Sequence, residues 1–397
     1  MQASPRSAVV AAAVGRLAHD GLNRLIALAG VSAGRFLAVV RTAWAEGDAI
    51  FPIDPRLPAP AVAALLALIR PAVVRSDDGD VALDGAVPVC PGDAIVVATS
   101  GTTGQPKGAI LTYAALVSSA YACHSALGVD STRDHWLACL PLAHIGGLSI
   151  VTRSIVAGVP CTVHDVFDPV AVDAAYANGA TLTSLVPAAL ARVDARRWRR
   201  ILLGGSALPG MLPPNCVRTY GMTETASGVV YDGVALAGVE LRADPSGQLH
   251  VRGPMLLRAY RTTTPDGHDP RTPDGWFATG DAGAVAADGT VTVHGRVGDV
   301  IVSGGEKVWP DPVERVLATV DGVAEVAIAG RADPVWGTRV VAYVVPRDPL
   351  DPPSLPALRD AVKAVLAAYC APHELVLRTA LPRTSIGKVI RSQLDDQ

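Results

Sequence analysis

Lysine is scarce in this chain. Only four lysines occur among 34 basic residues, so the other thirty are arginines, and the formal charge is -3. This balance offers no basic excess to attract nucleic acid or an anionic membrane, and we expect no such partner. Small-molecule chemistry is favoured instead. Lys107 and Lys388, which lie in segments rich in glycine, serine and threonine, are the first candidate cations, because an ammonium is a compact point charge.

Cysteine pairs and long apolar runs are also lacking. The six cysteines show no C-x-x-C or metal-finger spacing, which predicts reduced thiols and no disulfide. The apolar N-terminal stretch is interrupted by Arg16, His19 and Asp20, so it does not read as a signal or membrane-spanning segment. A cytoplasmic location is predicted.

The composition nevertheless supplies ample core, since half of the 397 residues are hydrophobic. Helical patterns (9–17, 61–69, 118–127, 147–155) alternate with apolar strand candidates (36–40, 72–74, 94–98, 136–140, 160–163, 183–186, 201–203). This rhythm predicts a layered α/β domain over residues 1–297, with a β-rich subdomain from about residue 237. Residues 298–397 predict a small, mobile α+β domain.

A phosphate-binding loop is predicted at residues 99–108, directly after the apolar run 94–98. Glycines permit close backbone approach, while N–H groups, hydroxyls and an ammonium neutralise phosphate charge. Lys107 is followed by glycine, so the spacing is not that of a Walker A loop. The alternative is an exposed turn. The candidate ligands are Thr99, Ser100, Gly101, Thr102, Thr103, Gly104 and Lys107, with Gly108 closing the loop.

Five further clusters carry groups suited to a nucleotide. A bare backbone and an aromatic face suit adenine, a hydroxyl beside a carboxylate suits a phosphate and Mg²⁺, and a further carboxylate suits ribose hydroxyls. Singly, each has an ordinary reading as a turn, a surface carboxylate or a rim ion pair. The residues are Gly204, Gly205, Ser206 and Ala207; Tyr220, Gly221, Thr223 and Glu224; Asp281; Arg296; and Lys388.

In their order, these motifs resemble the adenylate-forming superfamily of acyl-CoA synthetases, adenylation domains and luciferases. The resemblance implies a large N-terminal domain, a small mobile C-terminal domain, and two half-reactions at one site. First, a carboxylate attacks the α-phosphate of ATP, giving acyl-AMP and pyrophosphate. A thiol, usually that of coenzyme A, then attacks the mixed anhydride.

The resemblance also implies a role for each motif. The loop 99–108 grips pyrophosphate, and residues 204–207 with Tyr220 and Gly221 hold adenine. Thr223 contacts the α-phosphate and Glu224 holds Mg²⁺. Asp281 and Arg296 bind ribose, and Lys388 is the catalytic lysine that brings carboxylate and phosphate together.

The same resemblance places a hinge at Gly298, about which the small domain rotates between the half-reactions. The loop 303–310 resembles the segment that lines the pantetheine tunnel, where Gly304 and Gly305 leave room. The loop 99–108 begins earlier in the chain than in most relatives, so part of the usual first subdomain is expected to be reduced.

The acyl pocket is predicted around residues 140–158. His144 occupies the position of the residue that gates the acyl carboxylate in the family; the alternative is a core histidine at a helix N-terminus. Arg153 follows Gly146 by seven residues, so both share a helix face. A guanidinium there suits a second, unreacted carboxylate, and the alternative is an arginine snorkelling from a surface helix.

Segments 144–158 and 220–239 are similar to the o-succinylbenzoate-CoA ligases of bacterial menaquinone biosynthesis. The substrate implied is an aromatic dicarboxylate whose succinyl carboxylate is adenylated and whose benzoate carboxylate faces Arg153. Three alternatives stay open: an acyl- or aryl-CoA ligase of another pathway, an adenylating enzyme that loads a carrier protein, and a binding module without turnover. The oligomeric state is left open, and a homodimer is one of the states it allows.

Overall fold

The structure is a computed structural model that describes residues 23–100, 106–205, 212–383 and 389–395. The chain divides into two units. The first comprises residues 1–205, 213–240 and 251–277, and the second comprises 206–212, 241–250 and 278–397. The predicted phosphate-loop residues Gly101–Gly104 lie outside the described residues, as do Ser206, Ala207 and Lys388, and nothing is described of the Ser100 side chain.

The first unit contains two seven-stranded sheets. In the first sheet, the neighbouring parallel strands Leu25–Leu28 and Ala49–Pro52 are fully buried, as expected for apolar runs covered on both faces. Its strands lie in the order Ala259–Tyr260, Pro106–Thr112, Asp93–Ser100, Ala49–Pro52, Leu25–Leu28, Val73–Ser76 and Gly79–Ala82.

The second sheet is parallel at its centre, where Leu203 pairs with Arg218 and Leu185. Polar residues that follow these parallel strands therefore gather at one edge of the sheet. Its strands lie in the order Val234–Ala235, Ser227–Tyr231, Cys216–Met222, Arg200–Leu203, Leu182–Leu185, Trp136–Ala138 and Cys161–Val163.

Helices of the first unit begin and end where local chemistry permits. The Thr112 hydroxyl accepts a hydrogen bond from the Ala115 N–H at 3.1 Å, and Gly158 ends a later helix with a φ of 67°. The helices span Ala33–Ala45, Ala59–Ile69, Tyr113–Leu127, Ile145–Ala157, Pro169–Ala177 and Pro187–Leu190.

The second unit is built on smaller sheets. A four-stranded sheet has the order Glu240–Ala243, Gln248–Arg252, Phe277–Val285 and Val291–Arg296. Four residues at its strand ends are assigned to the first unit: Glu240, Val251, Arg252 and Phe277. A hairpin joins Ile301–Ser303 to Glu306–Val308, and a three-stranded sheet has the order Val323–Asp333, Gly337–Pro346 and Glu374–Leu377. The helices Pro310–Leu317 and Leu355–Val365 pack on its apolar face through Val313, Leu317, Leu358 and Val362.

One predicted element is wrong. Residues 36–40 lie in the helix Ala33–Ala45, not in a strand. The buried residues include Phe36, Val39, Val40 and Ala43, which is the spacing of one helix face. A short apolar run fits a buried strand and a buried helix equally well, and here it forms the helix. The six cysteines are free, as predicted. Among the described residues, no helix combines the length and apolarity needed to cross a bilayer.

Candidate active site

The predicted phosphate loop joins two antiparallel strands. Thr99 pairs with Lys107 across the strands Asp93–Ser100 and Pro106–Thr112, so the described ends of the loop lie side by side. Lys107 is exposed, and its Nζ lies 5.0 Å from the centroid of the Tyr260 ring. This distance is within the range of a cation–π contact.

Glu224 lies beside the same tyrosine. The carboxylate belongs to the turn Thr223–Thr225, which follows the strand Cys216–Met222, and Glu224 Oε1 accepts a hydrogen bond from the Tyr260 hydroxyl at 2.9 Å. Tyr260 therefore links Lys107 with Glu224, which are 117 positions apart in the sequence. Tyr260 has no signal in the local sequence, because only its strand pairing with Ala109 brings it to this place.

The described members of the predicted adenine set lie on or directly after two neighbouring strands of the second sheet. Gly204 follows the strand Arg200–Leu203, and a Cβ at Gly204 would lie 2.9 Å from the Thr219 hydroxyl oxygen. Gly205 has a φ of 92°, which favours glycine. Tyr220 is half-buried on the adjacent strand, and Gly221 is required there because its Cβ would lie 2.1 Å from the Ser227 carbonyl oxygen.

Arg153 is buried in the helix Ile145–Ala157 with 1% of its surface exposed, so the snorkelling alternative is wrong. Its Nη2 donates to the Ser227 hydroxyl at 2.6 Å, and its Cζ lies 5.7 Å from the centroid of the Trp136 ring. Within the described ranges, its Nε and Nη1 have no hydrogen-bond partner and no carboxylate forms a salt bridge with it.

The surroundings of Arg153 are polar, and no described carboxylate compensates its charge. Trp136 Nε1 donates to His124 Nε2 at 3.2 Å, and burial, with a smaller contribution from the Arg153 charge, lowers the pKa of His124 to about 4. The Tyr231 hydroxyl is buried, and burial raises its pKa. A buried guanidinium with unused donors favours an anionic ligand.

His144 lies at the N-cap of the same helix, and Gly146 lies in the first turn. The His144 Nε2 is 3.2 Å from Asp54 Oδ2. Burial lowers the pKa of His144, while the Asp54 charge acts in the opposite direction. Asp54 was not foreseen from the sequence, because it precedes His144 by 90 residues and lies on another element.

The predicted ribose residues face each other in the second unit. Asp281 and Arg296 occupy paired positions on the strands Phe277–Val285 and Val291–Arg296, with Arg296 Nε 3.0 Å from Asp281 Oδ1. Asp281 lies within its strand and not at the end, because the strand continues to Val285. Arg296 also donates to the Thr279 carbonyl at 3.1 Å, which fixes the orientation of its guanidinium.

The predicted hinge and tunnel residues lie in the same unit. Gly298 is exposed in the turn Val297–Asp299, and a Cβ there would meet nothing within 4 Å. Gly304 and Gly305 form the hairpin turn with φ values of 59° and 88°, as a tight two-residue turn requires. A Cβ at Gly304 would also lie 2.8 Å from Trp336 Cε3.

Comparisons with known proteins identify the family of this chain. Family models described as "AMP-binding enzyme" and "AMP-binding enzyme C-terminal domain" match residues 75–261 and 312–388. The chain is 42% identical over 329 residues to a probable 2-succinylbenzoate–CoA ligase of Mycobacterium tuberculosis H37Rv, covering 76% of this chain and 83% of the relative. It is 36% identical over 341 residues to an indoleacetate–CoA ligase of Aromatoleum aromaticum, covering 74% of this chain and 65% of the relative.

Solved structures of similar fold include acid–CoA ligases as well. An o-succinylbenzoate CoA synthetase from Bacillus subtilis in complex with its acyl-adenylate intermediate superposes with a TM-score of 0.80 at 26% identity, covering 98% of this chain and 92% of the other. The same synthetase in complex with ATP and magnesium ion gives a TM-score of 0.80 at 26% identity, covering 98% of this chain and 94% of the other. The predicted α/β class, with a large N-terminal and a small C-terminal domain, is confirmed.

Proposed function

Because the chain belongs to the AMP-binding enzyme family, we propose that it is an ATP-dependent acid–CoA ligase whose acid is o-succinylbenzoate. It adenylates the succinyl carboxylate, releases pyrophosphate and transfers the acyl group to coenzyme A, releasing AMP. The similarity to 2-succinylbenzoate–CoA ligases supports this reaction.

The observation that carries the choice of acid is the unused guanidinium of Arg153. A dicarboxylate can place one carboxylate at the reacting centre and the other against Arg153 Nε and Nη1, which have no partner among the described residues. A planar guanidinium binds a carboxylate through two parallel hydrogen bonds. A monocarboxylate such as indoleacetate would leave this buried charge uncompensated, which disfavours the alternative acid.

Each part of the nucleotide is assigned to its own set of residues. We assign pyrophosphate to the loop 99–108 and adenine to residues 204–207 with Tyr220 and Gly221. The α-phosphate is assigned to Thr223 and the ribose to Asp281 and Arg296. The single carboxylate of Glu224, which accepts from Tyr260 and lies in no described cluster of three metal-binding side chains, suits a Mg²⁺ ion held mainly by nucleotide phosphates. When bound, that ion neutralises charge on the phosphate oxygens.

Lys388 is assigned to the adenylation half-reaction and Gly298 to the rotation that ends it. The residues 1–297 and 298–397 are proposed as the two bodies that rotate, with the loop 303–310 lining the thiol tunnel. We also propose a cytoplasmic location and a homodimer, which cell fractionation and sedimentation velocity test.

A substrate panel tests the proposed function. Pyrophosphate release is measured with o-succinylbenzoate, benzoate, salicylate, indoleacetate and a fatty acid, each at the same concentration with ATP and Mg²⁺. We expect o-succinylbenzoate to give the highest kcat/KM, and formation of its CoA thioester on adding coenzyme A. Indifference to o-succinylbenzoate alongside turnover of another acid would reject the proposed substrate. Loading of a carrier protein in place of coenzyme A would favour the adenylating-enzyme alternative.

The Lys388→Ala variant tests the two half-reactions separately. Adenylation should fall by about three orders of magnitude, because a positioned cation stabilises the charge that develops on phosphoryl oxygens. Thioester formation from supplied acyl-AMP should stay near the wild-type rate. Near-normal pyrophosphate release from this variant would refute the assignment of Lys388.

A further inference from the structure

Asp54 forms a buried junction between two elements of the first unit. It follows the strand Ala49–Pro52, has 5% of its surface exposed, and contacts the imidazole of His144 at the start of the helix Ile145–Ala157. The relevant distance is 3.2 Å between Asp54 Oδ2 and His144 Nε2. Asp54 has no role in the proposed function.

Arg56 fixes the orientation of the Asp54 carboxylate. Arg56 Nε donates to Asp54 Oδ1 at 2.8 Å and Nη2 donates to Oδ2 at 2.6 Å, while the Arg56 backbone N–H donates to Oδ1 at 3.0 Å. The side-chain hydrogen bonds from Arg56 lower the pKa of Asp54 to about 2, so the carboxylate is ionised at neutral pH. An ionised carboxylate only accepts hydrogen bonds.

The tautomer of His144 follows from this environment. With Asp54 accepting, His144 Nε2 must carry the hydrogen, and the neutral ring therefore has its lone pair on Nδ1. Arg56 Nη2 lies 3.5 Å from the same nitrogen, farther than the carboxylate oxygen, and two N–H groups cannot donate to each other. Burial lowers the pKa of His144, which favours the neutral ring.

We propose that Asp54 is a positioning residue for the acid substrate: it holds the His144 ring in one orientation and as the Nε2–H tautomer. The proposal rests on the proposed function, in which His144 gates the acyl carboxylate. Asp54 acts through His144, and the hydrogen bonds from Arg56 fix the orientation of the Asp54 carboxylate. The binding of the acid should then depend on Asp54, whereas the binding of ATP should not.

The test uses Asp54→Asn in the full chain. Asparagine has the same shape, and two N–H groups of Arg56 donate to the Oδ1 position, so the amide oxygen is expected there and the NH₂ group faces His144. His144 Nε2 must then accept from this NH₂ group, so the ring hydrogen moves to Nδ1. We expect ¹⁵N spectra of histidine-labelled protein to report a protonated Nε2 in the wild type and a protonated Nδ1 in the variant. The KM for o-succinylbenzoate should rise roughly tenfold, as expected for one hydrogen bond, with the KM for ATP unchanged.

The chain offers a matched control. His250 Nε2 lies 3.1 Å from Asp244 Oδ2 in the second unit, so Asp244→Asn alters a pair of the same geometry. This variant should change the ¹⁵N signals of His250 and leave the KM for the acid unchanged. His144→Gln identifies the His144 signals and completes a cycle with Asp54→Asn, in which the second substitution should add little to the first.

The outcomes separate the two proposals. An unchanged His144 tautomer in Asp54→Asn, or additive effects in the cycle, would overturn the role of Asp54. A normal KM for the acid in Asp54→Asn, when His144→Gln raises it, would overturn that role as well. If the wild type activates none of the acids, the proposed function fails, while the ¹⁵N spectra still decide whether Asp54 sets the tautomer.

Discussion

Arg258 and Arg153 lie in the same unit, but their surroundings differ. Arg258 donates to both oxygens of the buried Asp93, at 2.7 Å and 2.9 Å, and to the carbonyls of Pro265 and Asp266. Arg153 has a hydroxyl and an indole ring as neighbours and two donors without a partner in the described residues. The first arrangement secures the fold, whereas the second leaves a charge for a ligand.

The comparison predicts its largest effect at Arg258. Arg258→Met leaves the Asp93 carboxylate buried without its ion-pair partner, and the free energy of unfolding should fall by about 3–5 kcal/mol. Urea unfolding followed by circular dichroism measures this change. The double variant Arg258→Met with Asp93→Asn should recover part of the loss. A loss below about 1 kcal/mol in the single variant would show that this ion pair does not secure the fold.

Arg153→Met should behave in the opposite way. It removes a buried charge that has no carboxylate partner in the described residues, so the free energy of unfolding should stay within about 1 kcal/mol of the wild type. Turnover of o-succinylbenzoate should fall about 100-fold, because charge-assisted hydrogen bonds to the acid are lost. Urea unfolding and pyrophosphate release are measured on the same preparation. A large loss of stability would place Arg153 with Arg258 as a structural arginine.

The uncompensated charge of Arg153 should also affect how stability depends on pH, because it contributes to the lowered pKa of His124. Its folded pKa of about 4 lies below the ordinary value of 6.5, so the unfolded chain binds the proton first as the pH falls. This residue should therefore lower the free energy of unfolding by about 2 kcal/mol between pH 7 and pH 5. Urea midpoints at the two pH values measure it.

Two variants check this origin. His124→Gln should lack the His124 contribution, and Arg153→Met should weaken it, since the Arg153 charge is the second cause of the lowered pKa. An equal pH dependence in His124→Gln and the wild type would assign the effect to other groups.

The smallest effect is expected on the nucleotide side, at Tyr260. Tyr260→Phe keeps a ring beneath Lys107 but removes the hydrogen bond to Glu224, which should cost about 1 kcal/mol, or roughly fivefold in kcat/KM for ATP. The KM for the acid should not change. Steady-state pyrophosphate release with each substrate varied in turn distinguishes these values. A larger change for the acid than for ATP would show that Tyr260 belongs to the acyl side.

Local sequence predicted the strands and the polar residues that follow them. Gly204 could be placed because it comes directly after the apolar strand Arg200–Leu203, and such strand ends gather at one edge of a parallel sheet. Glu224 could be placed only through the resemblance of its motif to the family, because the strand before it is not an apolar run. The helix Ile145–Ala157 was also predicted closely, since its apolar residues repeat with the helical period.

Tertiary contacts account for what local sequence could not predict. Arg153 is buried because Trp136 and Ser227 come from separate strands of the second sheet, and no pattern in the helix itself records their presence. The pairs Asp54–His144 and Tyr260–Glu224 join residues 90 and 36 positions apart, so neither has a local signal.

The most direct test of the central claim compares two acids with two enzymes. Pyrophosphate release is measured for o-succinylbenzoate and for 4-oxo-4-phenylbutanoate, which lacks the ring carboxylate, with the wild type and Arg153→Met. The wild type should prefer the dicarboxylate by about 100-fold in kcat/KM, and the variant by less than about threefold, because only the wild type can pair the second carboxylate. The same preference in both enzymes would contradict the assignment of Arg153 as the ligand of that carboxylate.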